Sequence, residues 1–586
     1  MKYDRLHQLL FKAITHCIPE EELKARQSLL RICTWIVMCS ISLGAAVTAS
    51  AQSTFGSILG TVQDVSGAVI PGATVTVKSL DQDLTRTATT TDSGDFLAEN
   101  LKPGHYSIAI EHAGFAKSVV ADAQLGARQS LRIPVTMAIA EQSQEVVVQA
   151  AGNQINTEDA TLSDSKDNVA MMQLPLNDRA TTTSPLGSLE VSSNVQQDSS
   201  GNIALGGATS SMVNFSVDGI STSNVRQNGA LQDAYPSLEG IAAMKVTSFN
   251  NSAEFSQVGD VTFTTKGGTD KFHGSLFEYF QNDALDADPY GFSGKAPKHF
   301  NTFGGSLGGP VVIPHLLDRR GKTFFFFDYE GNRRSTATAE QFLVPTQAER
   351  NGDLTALGGP IIAPGSINPT ATALLNYYPL PNVTGQSNYN YELFQPTPAR
   401  TDGADVRIDE TISTKQSAYA RFSRKNITED YANALLPNDS DSVHNRSLLV
   451  SHVYSFNPRL INEFRFGFTN VFTNVGFPIE GADALDQLDL QGVNISQHPL
   501  THAFPTFNFN AGTGFTPIGR DKTGVTQSKT LEITDNVSYS GASMRSRPAS
   551  TRGASAMRIS RRFFRRTTLD SSPFSPRLPA MRSEIF

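Results

Sequence analysis

The chain has very little cysteine and tryptophan, and both are confined to its N-terminal end. Its 586 residues include three cysteines, Cys17, Cys33 and Cys39, and one tryptophan, Trp35. A chain processed after residue 51 would hold no thiol, which excludes a disulfide framework and thiolate chemistry. Beyond this end, no apolar run approaches the length of a membrane-spanning helix. A membrane-inserted form must therefore be a β-barrel, whose backbone groups pair among themselves.

The first 51 residues have the pattern of a secretory signal. Arg31 precedes an apolar core from Ile32 to Val47, and Ala49-Ser50-Ala51 has the small residues of an Ala-X-Ala cleavage site. We therefore predict a signal peptide over residues 1–51, recognised through Ala49 and Ala51, and a mature protein that starts at Gln52. The alternative is a buried N-terminal helix.

Positive charge is also scarce in the body of the chain. The sequence holds 48 Lys+Arg against 56 Asp+Glu, a formal net charge of −8, and many of the basic residues lie near the two ends. An acidic body argues against nucleic-acid binding. The 11 histidines include no H-E-x-x-H motif and no pair at metal-ligand spacing, so we expect neither a metal site nor a cofactor.

The segment Gly259–Asn282, GDVTFTTKGGTDKFHGSLFEYFQN, has the pattern of a domain junction. Alternating residues up to Thr265 predict a half-buried strand. Gly267 and Gly268 follow, and we expect them to supply positive φ for a turn. A second strand, rich in aromatic residues, is expected to begin at Phe272.

This segment resembles the plug-to-barrel junction of TonB-dependent outer-membrane transporters with an Oar-like barrel. The resemblance continues through FNTFGGSLGGPV at 300–311, KTFFFFDYEGNRR at 322–334 and VPTQAERNGDL at 344–354, in the order of that family's first barrel strands. The resemblance implies that the plug–barrel junction contains Lys266, Gly267, Gly268, His273 and Gly274.

Residues 53–138 have the pattern of a small β-sandwich. Short strands such as Gly56–Val62, Thr74–Lys78 and Tyr106–Glu111 are separated by turns that contain glycine. The stretches TDSGDF and LKPGHYSIAIEHAGF resemble the carboxypeptidase regulatory-like domain, which has a carbohydrate-binding-like fold. The resemblance implies a fold and no peptidase activity. A structural or relay role in the periplasm and a contact with glycan both remain open.

Residues 140–152 form a polar linker around a β-branched run. The run resembles the TonB box, which pairs with an edge strand of TonB by β-augmentation. Gln149 departs from that family's pattern, which has Thr or Ser there. The alternative is that the run is the last sandwich strand or the first plug strand. The candidate residues are Glu145, Val146, Val147, Val148, Gln149 and Ala150.

Residues 153–268 are predicted to form the plug, a mixed α/β domain. A short helix is expected over Val169–Leu174. The alternating strand Met212–Ile220 closes at Asp218-Gly219, and it resembles a plug strand that ends in the same turn. Leu238–Val246 matches the segment in which plugs of the family run a helix into a strand.

From residue 270 to residue 540 the hydrophobic period is two. In Leu460–Asn470, leucine and phenylalanine occupy one face while Glu463 and Arg465 lie on the other. Strands that are apolar outside and polar inside are typical of outer-membrane barrels, although a sandwich strand alternates in the same way. The expected fold class is mostly β: an N-terminal β-sandwich, an α/β plug, then part of an antiparallel transmembrane β-barrel.

One stretch has the form of a catalytic motif. Gly304–Gly308 fits the G-x-S-x-G pattern of a nucleophile elbow, but Pro310 and β-branched residues follow where the elbow requires a helix. We therefore expect no acyl-transfer chemistry and no enzyme.

The resemblance implies a TonB-dependent receptor or transporter for nutrient uptake. Its partners would be TonB with its inner-membrane energising complex, outer-membrane lipid and an unknown small ligand, which could be an oligosaccharide, a peptide or a metal chelate. The alternative is a secreted or surface β-sandwich protein for carbohydrate binding or adhesion. Dependence on detergent separates the two.

Residues 541–586 differ in character from the rest. Arginine and serine dominate and strand alternation disappears, which favours a shifted reading frame; the alternative is a disordered basic tail. Residues 271–540 could supply about eight to ten strands, whereas enclosing a plug takes about 22. We therefore expect an incomplete copy of a transporter.

Overall fold

The structure is a computed structural model. Every residue it describes lies within the unit Ala51–Phe586. The predicted signal peptide, with Ala49 and Ala51, lies outside the described part, as do Gln149 and Ala150. The described residues are 54–140, 145–148, 160–174, 184–197, 202–224, 229–251, 257–287, 297–314, 317–433, 435–457, 460–476, 487–488, 504–509, 514–519, 525–540 and 556–570.

Two sheets near the N-terminus share one hydrophobic core. One has the order β4-β1-β7, with β8 also paired to β1, and the other has the order β3-β2-β5-β6-β9. Ile58, Val75 and Ile108 from the two sheets are fully buried in this core. The strands are β1 Gly56–Asp64, β2 Thr74–Ser79, β3 Thr85–Thr89, β4 Asp95–Leu101, β5 Gly104–Glu111, β6 Lys117–Leu125, β7 Ser130–Arg132, β8 Val135–Met137 and β9 Glu145–Val148.

A second, mixed sheet follows, with the order β10-β15-β16-β13-β14; it lies within the stretch predicted to form a plug, and it is called the plug below after that prediction. Its helix α1, Asn168–Gln173, begins at Asp167, whose side chain accepts a hydrogen bond from the backbone N–H of Ala170. The strands, including the separate pair β11-β12, are β10 Leu162–Asp167, β11 Val195–Gln197, β12 Ile203–Leu205, β13 Val213–Val217, β14 Ile220–Ser221, β15 Ile241–Phe249 and β16 Gly259–Thr265.

Two sequence expectations for this region are wrong. Strand β16 is buried at every position and not half-buried. It lies between β13 and β15 in the sheet, and Arg407 of the large sheet contacts its last residue. Leu238–Gly240, where a helix was expected, belongs to a turn that leads directly into β15.

Most of the remaining described strands form a large antiparallel sheet, called the wall below, in the order β17-β18-β21-β22-β23-β24-β25-β26-β27. Strands β19 and β20 pair in a separate small hairpin. The strands are β17 His273–Asn282, β18 Lys298–Pro310, β19 Val312–Ile313, β20 Leu317–Asp318, β21 Thr323–Phe342, β22 Tyr391–Ser413, β23 Gln416–Asn433, β24 Leu436–Asn457, β25 Leu460–Gly476, β26 Val525–Ser540 and β27 Ala556–Asp570.

The large sheet is polar on its buried face and apolar on its exposed face. On β25, Glu463 is 3% and Arg465 1% exposed, whereas Phe464 between them is 38% exposed. On β22, Val406 and Ile408 are exposed while Arg407 is buried. A water-soluble sandwich has the opposite arrangement, since its core is apolar. The alternation therefore follows the pattern of a membrane barrel wall.

The two ends of the large sheet carry different connections. At one end, called the short-turn end, two residues join β22 to β23; at the other, called the long-loop end, two residues separate β23 from β24 and residues 343–390 separate β21 from β22. That long connection carries α2, Gln347–Arg350, and α3, Pro369–Leu375. Outer-membrane barrels have short periplasmic turns and long extracellular loops. The sandwich contacts the short-turn end, where Arg86 donates a hydrogen bond to Ser455 over 3.3 Å.

Within residues 541–586, Ala556–Asp570 form β27, which pairs antiparallel with β26 along fifteen positions, so the alternative of a disordered tail does not describe this stretch. A shifted reading frame remains a prediction about the gene. Among the described residues, β17 and β27 are not paired with each other, so this part of the sheet is open. No helix in the described ranges is long and apolar enough to cross a membrane.

Candidate functional site

The Asp218-Gly219 turn connects β13 to β14. Its residues have φ values of 51° and 79°, as a tight turn of the primed type requires. Asp218 is fully buried. Its carboxylate accepts hydrogen bonds from the backbone N–H of Thr265 at 2.9 Å and from the hydroxyl of Thr265 at 2.8 Å. The turn is thereby tied to the end of β16, where the plug sheet leads into the junction.

Two arginines of the large sheet approach the same carboxylate. Nε of Arg421, on β23, lies 3.4 Å from Asp218 Oδ2, and Nη1 of Arg407, on β22, lies 4.0 Å from Oδ1. Arg407 also donates to the backbone oxygen and the hydroxyl of Thr265, both at 3.0 Å. A buried charge is tolerated when it is paired and hydrogen-bonded. These arginines therefore fix the plug turn against the wall.

Asp409 extends this network to the sandwich. It accepts two hydrogen bonds from Arg407, at 3.0 and 2.9 Å, and its Oδ1 lies 2.6 Å from Nζ of Lys102. Lys102 lies between β4 and β5 of the sandwich. Burial lowers the pKa of Lys102, and the Asp409 carboxylate opposes that change. One carboxylate thus joins the sandwich to an arginine that holds the plug.

A second polar contact surrounds Glu239. Its carboxylate lies 3.2 Å from Nζ of Lys266 and accepts hydrogen bonds from Ser275 on β17 at 2.8 Å and Ser306 on β18 at 3.1 Å. Burial raises the pKa of Glu239, but Lys266 and the two serines outweigh burial and hold that pKa below its ordinary value. Glu239 therefore joins the plug to the first two strands of the wall.

Further hydrogen bonds cross the same interface. Ser237 donates to Asp328 of β21 at 2.5 Å, and Glu532 of β26 accepts from the backbone N–H of Ser221 at 3.0 Å. The apolar contact is small by comparison: among the described residues, its buried cluster consists of Ile220, Tyr419 and Leu449. The plug therefore meets the wall mainly through polar groups.

The junction glycines are needed for a reason other than the expected one. Neither Gly267 nor Gly268 has a positive φ. A Cβ on Gly268 would lie 2.3 Å from the carbonyl oxygen of Phe325, and one on Gly267 would lie 2.8 Å from Oδ2 of Asp409. The chain therefore passes so close to the wall that only glycine fits.

The predicted junction residues Gly274 and His273 lie outside the polar network around Asp218. A Cβ on Gly274 would lie 2.4 Å from the carbonyl oxygen of Ser306, so this glycine permits close pairing of β17 and β18. His273 is exposed at the start of β17, and its Nδ1 lies 3.0 Å from the hydroxyl of Thr269. His273 thus lies apart from the polar network around Asp218.

The candidate TonB box forms part of the sandwich. Strand β9, Glu145–Val148, lies at the edge of the sandwich sheet β3-β2-β5-β6-β9. It pairs parallel with β6, in the register Lys117 to Glu145 and Val120 to Val148. This placement agrees with the alternative of a last sandwich strand. A role in TonB binding remains a prediction, because an edge strand can also exchange partners.

Sequence reasoning missed Arg407, Arg421, Asp409 and Lys102. Three of them occupy the polar face of strands whose alternation was recognised. A charged residue on the inward, polar face of a wall strand could have indicated a contact with the predicted plug. Ser306 of the G-x-S-x-G pattern lies inside β18 and donates to Glu239. Among the described residues, no group of three or more metal-binding side chains is assembled.

Comparisons with known proteins agree with this architecture. The outer membrane beta-barrel domain matches residues 264–543, and the carboxypeptidase regulatory-like domain matches residues 57–138. Over 319 residues the chain is 24% identical to the TonB-dependent transporter Oar of Myxococcus xanthus. That match covers 52% of this chain and 29% of the relative, so the chain spans less than a third of that relative's length.

Two solved structures also align with the chain. The outer membrane transporter YddB from Escherichia coli has a TM-score of 0.40 and 12% identity, covering 65% of this chain and 46% of its own. The siderophore receptor PirA from Acinetobacter baumannii has a TM-score of 0.35 and 12% identity, covering 65% and 45%.

The fold and the domain matches define an outer-membrane β-barrel protein with an N-terminal carboxypeptidase regulatory-like domain. Over the 319 matched residues, the chain is related to a TonB-dependent transporter. The predicted resemblance to Oar-like TonB-dependent outer-membrane transporters is thereby confirmed, and the barrel domain places the protein in the outer membrane. The junction residues remain a prediction.

Proposed function

We propose that this protein acts as a TonB-dependent outer-membrane receptor or transporter for nutrient uptake. The observation that carries the proposal is the polar attachment of the plug, in which Asp218 is held by Arg407 and Arg421 of the wall. The opposite face of the same wall strands is apolar, as lipid contact requires. The alternative of a secreted sandwich gives no reason for this exposed apolar face.

The polar attachment suits a plug that has to move. Water can solvate arginines and carboxylates once they separate, so displacement of the plug costs less than it would at an apolar interface of the same size. The mechanism would begin with ligand binding at the outer face. TonB, driven by its inner-membrane complex, would then pull on the candidate box and rearrange the plug.

The TonB step can be tested at Val147, whose backbone pairs with Val119 of β6. Val147→Pro removes a backbone donor, so we expect capture of the purified C-terminal domain of TonB to fall at least about tenfold. Val147→Thr is the matched control, because it keeps both the donor and the β-branched shape. Equal capture by wild type and the proline variant would assign the run to ordinary sandwich structure.

For the ligand we propose an oligosaccharide. At the long-loop end, Tyr377, Tyr391 and Phe394 line a cavity of about 530 Å³. Aromatic rings beside a few polar groups are suited to stacking against sugar rings. We expect detergent-solubilised protein to retain fluorescent oligosaccharides, and Tyr391→Ala to weaken retention about tenfold. Retention of peptides or metal chelates but not sugars would contradict the assignment.

A further inference from the structure

The carboxypeptidase regulatory-like domain contacts the plug and the barrel wall at the same time. We propose that this domain is a clamp, which holds the plug closed and has to detach before the plug can be displaced. The role of the clamp in transport rests on the proposed function, because only a transporter or receptor of that kind has to displace its plug. The clamp itself can be measured without TonB or a ligand.

The first arm of the clamp is Arg128, in the turn between β6 and β7. Its guanidinium forms an ion pair with Asp260, a fully buried residue of β16 in the plug. Asp260 also accepts from Asn214 at 2.9 Å and from Thr262 at 2.7 Å, so the carboxylate is held inside the plug sheet. Nζ of Lys245, on β15, donates a hydrogen bond of 2.8 Å to the backbone oxygen of Arg128.

The backbone of Arg128 adds a second observation. Its φ of 56° lies in the left-handed region, which costs a non-glycine residue about 1 kcal/mol. Arg128 also donates to Thr262 at 3.2 Å and to Asn251 at 3.3 Å. A strained conformation is maintained where surrounding contacts fix it. The backbone N–H of Arg128 donates to the backbone oxygen of Thr54 in the sandwich at 3.3 Å, while its guanidinium contacts the plug, so the turn presents this side chain for docking.

The second arm is the loop between β2 and β3 together with Lys102. Nζ of Lys102 pairs with Asp409 of the wall at 2.6 Å and donates to Gln82 at 3.2 Å. Gln82 in turn donates to the backbone oxygen of Gly268 at 3.0 Å. The backbone N–H of Asp270 donates to the backbone oxygen of Asp81 at 2.9 Å. This arm therefore covers the junction linker.

The two arms make plug release and sandwich detachment interdependent. Asp260 and Asp409 are buried carboxylates, and each has one of its cationic partners on the sandwich. When the sandwich leaves, each carboxylate loses that partner and has to be hydrated, which opens the interface to water. Asp409 would keep its hydrogen bonds from Arg407 but lose the ion pair with Lys102.

The candidate TonB box is connected to the first arm. Strand β9 is hydrogen-bonded to β6, and β6 ends at Leu125, three residues before Arg128. A pull on β9 is therefore transmitted to the turn that holds Asp260. This connection gives the sandwich a role between TonB capture and plug displacement.

The test is amide hydrogen exchange of the full chain in detergent micelles. Lys102→Gln and Arg128→Gln together should speed exchange of β13 and β16 about tenfold, while β22 to β24 stay unchanged. Lys78→Gln is the matched control, because Lys78 pairs with Asp83 at the sandwich surface. Arg128→Lys should restore part of the protection.

Unchanged exchange in β13 and β16 of the double variant would overturn the clamp. Equal acceleration in the plug and in β22 to β24 would also overturn it, because that result indicates general destabilisation. The clamp and the proposed function can be refuted independently of each other. If Val147→Pro captured TonB as wild type does while the double variant still released the plug, the clamp would stand and the TonB assignment would fall.

Discussion

At the scale of single residues, the junction shows that one residue type can be required for two different reasons. Gly219 has a positive φ and serves the turn after Asp218. Gly268 has no positive φ, but its missing Cβ allows the chain to pass the backbone of Phe325. Sequence indicates a glycine requirement without distinguishing these causes. The distinction needs the position of Phe325, which lies 57 residues further along the chain.

Glu239 gives a residue-scale prediction that depends on pH. Because its pKa in the folded protein lies below the ordinary value of 4.5, ionised Glu239 stabilises the fold above that pH. The contribution should be lost as pH falls from about 5 through the lowered pKa. We therefore expect the plug to become easier to unfold with urea over that range.

The measurement uses a tryptophan introduced in place of Phe249, which is 42% exposed on β15. Processing after residue 51 would remove Trp35, so the reporter would be unique. Glu239→Gln should abolish this part of the pH dependence, whereas the exposed plug residue Glu190, changed to Gln, should leave it intact. The same acid sensitivity in Glu239→Gln and wild type would count against the assigned contacts.

At the scale of elements, alternation predicted the wall strands well. The period of two in Leu460–Asn470 placed Glu463 and Arg465 on one face and Phe464 on the other, as the structure does. Alternation is misleading for β16, because its polar face is covered as well: Arg128 of the sandwich contacts Asp260 and Thr262 there. It also gives no partner for a strand, so the pairing of β9 with β6 could not be predicted.

The ion network lies beyond sequence reasoning for a related reason. Arg407 and Thr265 are 142 residues apart, and no local pattern records such a contact. Sequence indicated which wall positions point inward, and the fold decided which plug residue each one meets. The same limit applied to Lys102, which looks like an ordinary turn lysine.

The orientation of β25 supports a prediction at this scale. Phe464→Arg places a charge on the face assigned to lipid, so we expect the free energy of unfolding in phospholipid vesicles to drop by about 2–4 kcal/mol. Asn474→Arg, on the same face near the long-loop end, should cost no more than about 1 kcal/mol. Urea titration in vesicles measures both. Equal, small costs would show that Phe464 does not face lipid.

At the scale of the whole molecule, three parts meet in two buried polar clusters. In one, Lys102 of the sandwich and Asp218 of the plug meet Asp409 and two arginines of the wall; in the other, Arg128 of the sandwich pairs with Asp260 of the plug. Polar contacts of this kind hold a closed state and still permit exchange with water. Together with an apolar outer face, they fit a gated protein of the outer membrane.

The most direct measurement is the accessibility of spin labels at two adjacent positions of β23. Because the predicted mature chain has no cysteine, Phe422→Cys and Ser423→Cys can each be labelled uniquely. Phe422 is 46% exposed and Ser423 is 4% exposed. In phospholipid vesicles, the label at 422 should collide often with oxygen and rarely with a water-soluble nickel chelate, as a lipid-facing site does. The label at 423 should meet neither. Frequent collision of the label at 422 with the nickel chelate would contradict the account.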